Sequence, residues 1–112
     1  MDKNLENLLH ELLDVTKRTL KIASQFDTVE ALAQDKLAYD TVLANVTVIY
    51  EIEMKIPEAA KKEDLNTIDW TKIKEYKEEI QSDFHDLNLE LLWQAVSKDL
   101  PVLEEKLEQI LS

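Results

Sequence analysis

Residues Trp70–Trp93 read WTKIKEYKEEIQSDFHDLNLELLW, and the reading of this stretch decides the fold. Apolar residues recur at helical spacing between the two tryptophans, and Asp69 is placed to cap a helix that begins at Trp70 and runs to about Gln81. Asp83, Asp86 and Asn88 then supply a break and a fresh cap, because their short polar side chains compete for backbone N–H groups. A second helix is expected from near Asn88, with Leu89, Leu92, Ala95 and Val96 on its apolar face. Trp70, Tyr76, Phe84 and Trp93 fit core or interface aromatics better than a base-stacking platform, which would also want a basic groove.

The same periodicity extends outward in both directions. Toward the N-terminus, Leu5, Leu8, Leu9, Leu12, Leu13, Thr16, Leu20 and Ala23 form one stripe on a helix expected over Lys3–Gln25. The run Asp27-Thr28-Val29-Glu30 is a capping-box variant, with Asp27 as the cap of a short helix over Thr28–Ala33. A long helix is predicted from Lys36 to Ile56 with Leu37, Val42, Val46, Ile49 and Ile52 inward. Pro57 restricts Ile56 and marks a helix terminus or a short new turn. The polar connection from Ala60 to Asp69 is expected to be a mobile loop. Pro101 clashes with the carbonyl of Ser97, so a kink is expected there before Val102, Leu103, Leu107, Ile110 and Leu111 resume the stripe. The predicted fold is all-α: an antiparallel four-helix bundle with a short extra helix, spanning residues 1–112 as one domain.

Composition narrows the function classes. Cysteine is absent, which removes disulfides and thiolate metal sites, and no apolar run approaches the roughly 20 residues of a membrane span. The N-terminus, MDKNLENLLHELL, is polar and acidic where a signal peptide would be basic and then apolar, so a cytoplasmic protein is expected. Glycine is also absent, which excludes a Gly-rich phosphate cradle. With 24 acidic against 13 basic residues the net charge is −11, and Arg18 is the only arginine. Lys72, Lys74 and Lys77 alternate with Glu75, Glu78 and Glu79 instead of forming a basic face, which makes RNA an unfavourable partner. No cofactor is implied. Glu51, Glu53, Glu90 and His85 do not supply the paired Glu-x-x-His of a di-metal bundle, and no metal site is expected. His10 has no second His or Cys at metal spacing and is expected at the boundary of the first helix's apolar face, while Glu11, Asp14, Glu104, Glu105 and Glu108 read as solvated outer faces.

Three blocks carry a resemblance to a known family. Trp70–Trp93 follows, without a gap, the pattern W-R-K-I-x-x-x-R-N-x-x-x-H-x-Y-x-x-x-D-x-x-x-x-W. Residues Asp40–Glu51, DTVLANVTVIYE, look like D-A-V-x-R-N-L-E-I-I-G-E, and Lys98–Leu103, KDLPVL, resembles E-D-L-P-x-L before an L-x-x-I-L ending. In this order they resemble the HEPN domain of the HepT-like toxin family, which is associated with nucleotidyltransferases, over about Leu5 to Leu111.

The resemblance implies a metal-independent endoribonuclease. In that reaction an Arg and a His of an R-x(4–6)-H motif from two subunits act on the phosphate and the attacking 2′-OH. It also implies a homodimer, a toxin–antitoxin setting, and a partner nucleotidyltransferase that adenylylates the Tyr after the His. Residue by residue the chemistry is missing. The Arg position holds Lys77, which lacks the planar bidentate fork. The His position holds Ser82, which does not titrate near neutral pH, and the Tyr position holds Phe84, which has no hydroxyl. Ala44 and Tyr50 stand where the second block has Arg and Gly. His85 is the rescue candidate, but it stands eight residues after Lys77, outside the motif spacing, and a solvated turn histidine flanked by carboxylates is the favoured reading.

The expected function is therefore a catalytically degenerate HepT-like bundle that dimerises or binds another protein, with Tyr76, Ile80, Phe84 and Trp93 as the candidate interface. Missing glycine, regular caps and lost catalytic groups also fit a redesigned sequence that keeps only the fold. The alternatives are a ribonuclease toxin with relocated residues and a substrate-binding subunit for a nucleotidyltransferase.

Overall fold

The structure is a computed structural model that describes residues 1–73, 75 and 89–112. Helix α1 spans Lys3–Ala23 and opens on the Asp2 carboxylate, which accepts from the Asn4 N–H at 3.1 Å. Its inward stripe is Leu5, Leu9, Leu12, Val15, Thr16, Thr19 and Ala23. Leu8, Leu13 and Leu20, expected within the stripe, lie half-buried along its margins, while Val15 and Thr19 take central places. The two threonines tolerate full burial because each hydroxyl donates at 2.7 Å to the carbonyl one turn back, at Leu12 and Val15. The helix stops at Ala23, short of the predicted Gln25, where the Ser24 N–H closes on the Leu20 carbonyl.

Helix α2, Val29–Gln34, is capped by Thr28, whose hydroxyl accepts from the Ala31 N–H at 3.1 Å. The cap therefore sits one residue later than the Asp27 of the sequence reading. Helix α3, Lys36–Lys55, is capped by Asp35 on the Ala38 N–H and buries Val42, Val46, Ile49, Tyr50 and Ile52. Leu37 corrects the expectation: it is 79% exposed. Five residues before Val42 is about 140° round a helix, so Leu37 faces away from the core. Ile56 is extended (φ −79°, ψ 126°), as a residue before proline prefers, and Pro57 becomes the N-cap of a short helix α4, Glu58–Lys62.

The segment expected to be a mobile loop is packed. After α4 the chain turns so that Leu65, fully buried, and Ile68 join the same cluster as Ile56. Its polar letters hide two core anchors, and those decide its path. Asp69 caps the next helical residues, 70–73, as predicted; its carboxylate accepts from the Thr71 N–H at 3.1 Å. The expected end of that helix at Gln81 and the break over Asp83–Asn88 lie outside the described residues.

The closing rod comprises α5, Leu89–Gln94, a π turn over Ala95–Asp99, and α6, Leu100–Leu111. The kink predicted from Pro101 takes the form of this π turn. The Leu100 N–H reaches back to the Ala95 carbonyl, and the proline falls in the first turn of α6, where its missing N–H is tolerated. Val102 does not resume the stripe and is 53% exposed; Leu100, Leu103 and Leu107 are the buried residues of α6. Helix α1 packs against both α3 and α6, and α2 braces α3 and α5. Among the described residues there is no strand, and the architecture is an all-α helical bundle.

Candidate functional site

Of the residues singled out from the sequence, Tyr76, Lys77, Ile80, Ser82, Phe84 and His85 lie outside the described residues. Trp93 is described: it is half-buried against the core of its own chain, beside Leu20, Phe26 and Val96. His10 is exposed, 3.9 Å from the Glu6 carboxylate one turn away. Glu51 and Glu90 are exposed, and Glu53 is committed to a lysine. No group of three metal-ligating side chains occurs among the described residues.

That lysine is Lys61, which α4 turns inward until it is only 8% exposed. Its ammonium donates to Glu53 at 2.5 Å and to Glu58 at 3.3 Å, and lies 5.5 Å from the centre of the Trp70 ring. The indole N–H of Trp70 donates to the Leu65 carbonyl at 3.1 Å. The cluster joins α3, α4 and the helix start at Trp70, and it orients the entrance to the segment that carries the family motif. A charge this deeply buried holds only with partners of this kind. Sequence reading missed it because Lys61 sits among polar neighbours that resemble a solvated loop.

Beside this cluster the described residues line a partly open cavity. It has a volume of about 230 Å³ and lies between α3, residues 67–73 and the closing rod. Val46, Ile49, Ile68, Ile73, Leu100 and Leu103 supply apolar wall; Tyr50, Asp69, Lys72, Asp99 and Lys106 supply the polar groups. Tyr50 is 5% exposed, and its hydroxyl has no hydrogen-bond partner among the described residues. Burial and then the negative charge of Asp99 push the phenol well above its ordinary range, so it stays protonated at any physiological pH. Burial also raises the Asp99 carboxyl; Lys72 opposes that, while Asp69 and Glu75 add to it. Asp69 is shifted the other way, chiefly by the Thr71 hydroxyl and then by the backbone N–H groups of Thr71 and Lys72.

A phenol that stays protonated at neutral pH cannot serve as a general base, and the Tyr50 hydroxyl oxygen is itself closed to a water-sized probe. The cavity's two defining residues were visible in the sequence only as parts of other patterns: Tyr50 as a replaced glycine, Asp99 as a letter of the KDLPVL block. Asp99 lies at the end of the π turn, the form taken by the kink that Pro101 announces.

The described residues build an all-α helical bundle with a capped start at Trp70 and a π turn before Pro101. A family model described as Ribonuclease HepT-like matches residues 9–110. The chain belongs to the HepT-like family. No curated protein and no solved structure matches it. No helix among the described residues is long and apolar enough to cross a membrane.

Proposed function

We propose that this chain is a HepT-like HEPN protein that no longer cleaves RNA and acts as a dimerisation or protein-binding module. One observation carries the reading: Ser82 and Phe84 occupy the positions at which the family pattern has His and Tyr, with Lys77 in place of the Arg. A hydroxymethyl group does not titrate near pH 7, and a phenyl ring cannot be adenylylated. The net charge of −11 adds a long-range repulsion toward a polyanion. In this reading residues 1–112 form one cytoplasmic module, and the aromatic face of Tyr76, Ile80, Phe84 and Trp93 meets a second copy across a two-fold axis.

The test combines light scattering after size exclusion with RNA cleavage in the presence of a chelator. A dimer that leaves RNA intact, and whose expression does not slow growth, is the expected result. Cleavage by the wild type that disappears on Lys77→Ala or His85→Ala would restore the ribonuclease toxin, with His85 in the relocated acid–base role. Co-purification with a nucleotidyltransferase would instead identify the protein partner as that enzyme.

A further inference from the structure

We propose that the outward face of α3 is a self-association surface, on which a second copy of this chain packs its own α3 antiparallel across a two-fold axis between Thr41 and Ala44. Charge is the first argument. Residues Thr41–Tyr50, TVLANVTVIY, are the longest stretch of the chain without a charged side chain. At about 3.6 residues per turn they leave every face of the helix uncharged over nearly three turns. Val42, Val46, Ile49 and Tyr50 account for the inward side. Ala44, Thr47 and Val48 lie on the outward side and are exposed, as is Leu37 in the first turn. The exposed side of α1, by contrast, carries Glu11, Asp14, Arg18 and Lys21. A helix that is apolar all round is one that is covered all round. Thr41 and Thr47 do not oppose this, because their hydroxyls already donate to the Leu37 and Leu43 carbonyls at 2.7 and 3.0 Å, and burial would leave neither unmet.

The occupant is a second copy because the face complements itself. Leu37, Thr41, Ala44 and Val48 recur at intervals of four, three and four, the spacing of a helix-pairing seam. Turned end for end about the two-fold axis, the seam sets Leu37 against Val48 of the second copy and Thr41 against its Ala44. Bulk then closes both ends, and small side chains let the backbones approach at the middle. The nearest charges agree. Asp40 falls opposite Asn45 of the second copy, and Lys36 comes within a turn of its Glu51 along the axis. Two chains at net charge −11 repel each other, and the repulsion is least where the facing surfaces hold no charge. The seam shares no residue with Tyr76, Ile80, Phe84 and Trp93, so it goes beyond the proposed function and is judged apart from it.

The chain has no cysteine, so engineered ones report without background. Leu37→Cys and Val48→Cys proteins are oxidised in a glutathione buffer at physiological ionic strength, each alone and as an equimolar mixture. Cross-linked dimers are read by non-reducing electrophoresis and mass spectrometry. The mixture should give a disulfide between position 37 of one copy and 48 of the other. Either variant alone should give little, because its two cysteines lie about 16 Å apart along the seam, beyond the roughly 7 Å that a disulfide spans. Ala44→Glu, added to both variants, should abolish the mixed cross-link by facing two carboxylates across the axis. Gln25→Glu, the same charge on exposed surface elsewhere, should leave it intact. A yield in the mixture no higher than in the single variants, a cross-link that survives Ala44→Glu, or one equally lost with Gln25→Glu would overturn the proposal. None of these results bears on a dimer through the aromatic set, which light scattering on the unmodified chain reads by itself.

Discussion

Lys61 and Glu53 form an ion pair whose members are 8% and 12% exposed, so the energetics are those of the interior. Removing one partner leaves the other charge buried without compensation, which is worse than never having had the pair. Lys61→Met should therefore destabilise the protein by on the order of 3 kcal/mol, and Lys61→Met with Glu53→Met should recover most of that loss. Urea unfolding of the two variants checks the claim; equal stability of single and double variants would refute it. Tyr50 gives the opposite sign. Its hydroxyl contributes no hydrogen bond among the described residues, so Tyr50→Phe should raise stability by about 1 kcal/mol. A fall in the unfolding midpoint would mean that the hydroxyl has a partner.

At the scale of elements, the ends of the helices were the most readable features and the connections the least. Asp69 caps its helix as predicted, and Asp35, which the sequence reading did not single out, caps α3 in the same way; a cap is a local contact between a side chain and an N–H two or three residues on. Asp69→Ala should cost about 1 kcal/mol at neutral pH. The sign with pH follows from the lowered carboxyl. The contribution is present above the unfolded value of 3.8 and is lost as pH falls through the still lower folded value. The gap between variant and wild type should therefore close in acid, as read by thermal melts across that range; a gap that widened would contradict the cap. The π turn makes a second test. Pro101→Ala supplies an N–H for the Ser97 carbonyl, and the turn over Ala95–Asp99 should regularise toward α-helix if the proline alone holds it. Backbone chemical shifts of residues 95–99 report the outcome, and a persistent π pattern would assign the turn to core packing instead.

For the whole molecule, the excess of 24 acidic over 13 basic residues opposes compaction through self-repulsion. Screening shortens from about 30 Å in 0.01 M salt to about 8 Å at physiological strength. The melting temperature should rise by several degrees across that interval, measured by circular dichroism. A flat response would mean that the charges are already locally paired, as Lys17 and Glu108 are at 3.1 Å.

The fold was largely legible because it rests on periodicity. Leu5, Leu9 and Leu12 on α1, Val42, Val46 and Ile49 on α3, and Leu92, Ala95 and Val96 in the closing rod repeat at intervals that only a helix can align on one face. Leu37 and Val102 were misassigned because apolar type alone does not fix the angle around the helix. Leu65, Ile68 and Lys61 were missed because a connection has no period to read.

Trp70–Trp93 and its companion blocks determined, by themselves, the helical class and the family, since both depend on residue type and order along the chain. The sequence also determined which letters of the cleavage motif are absent. Only the tertiary structure decided that Lys61 is a buried cation beneath Trp70, and that Tyr50 and Asp99 share one cavity. The physical reason is that burial and electrostatic coupling are set by neighbours distant in the chain, brought together by packing rather than by spacing.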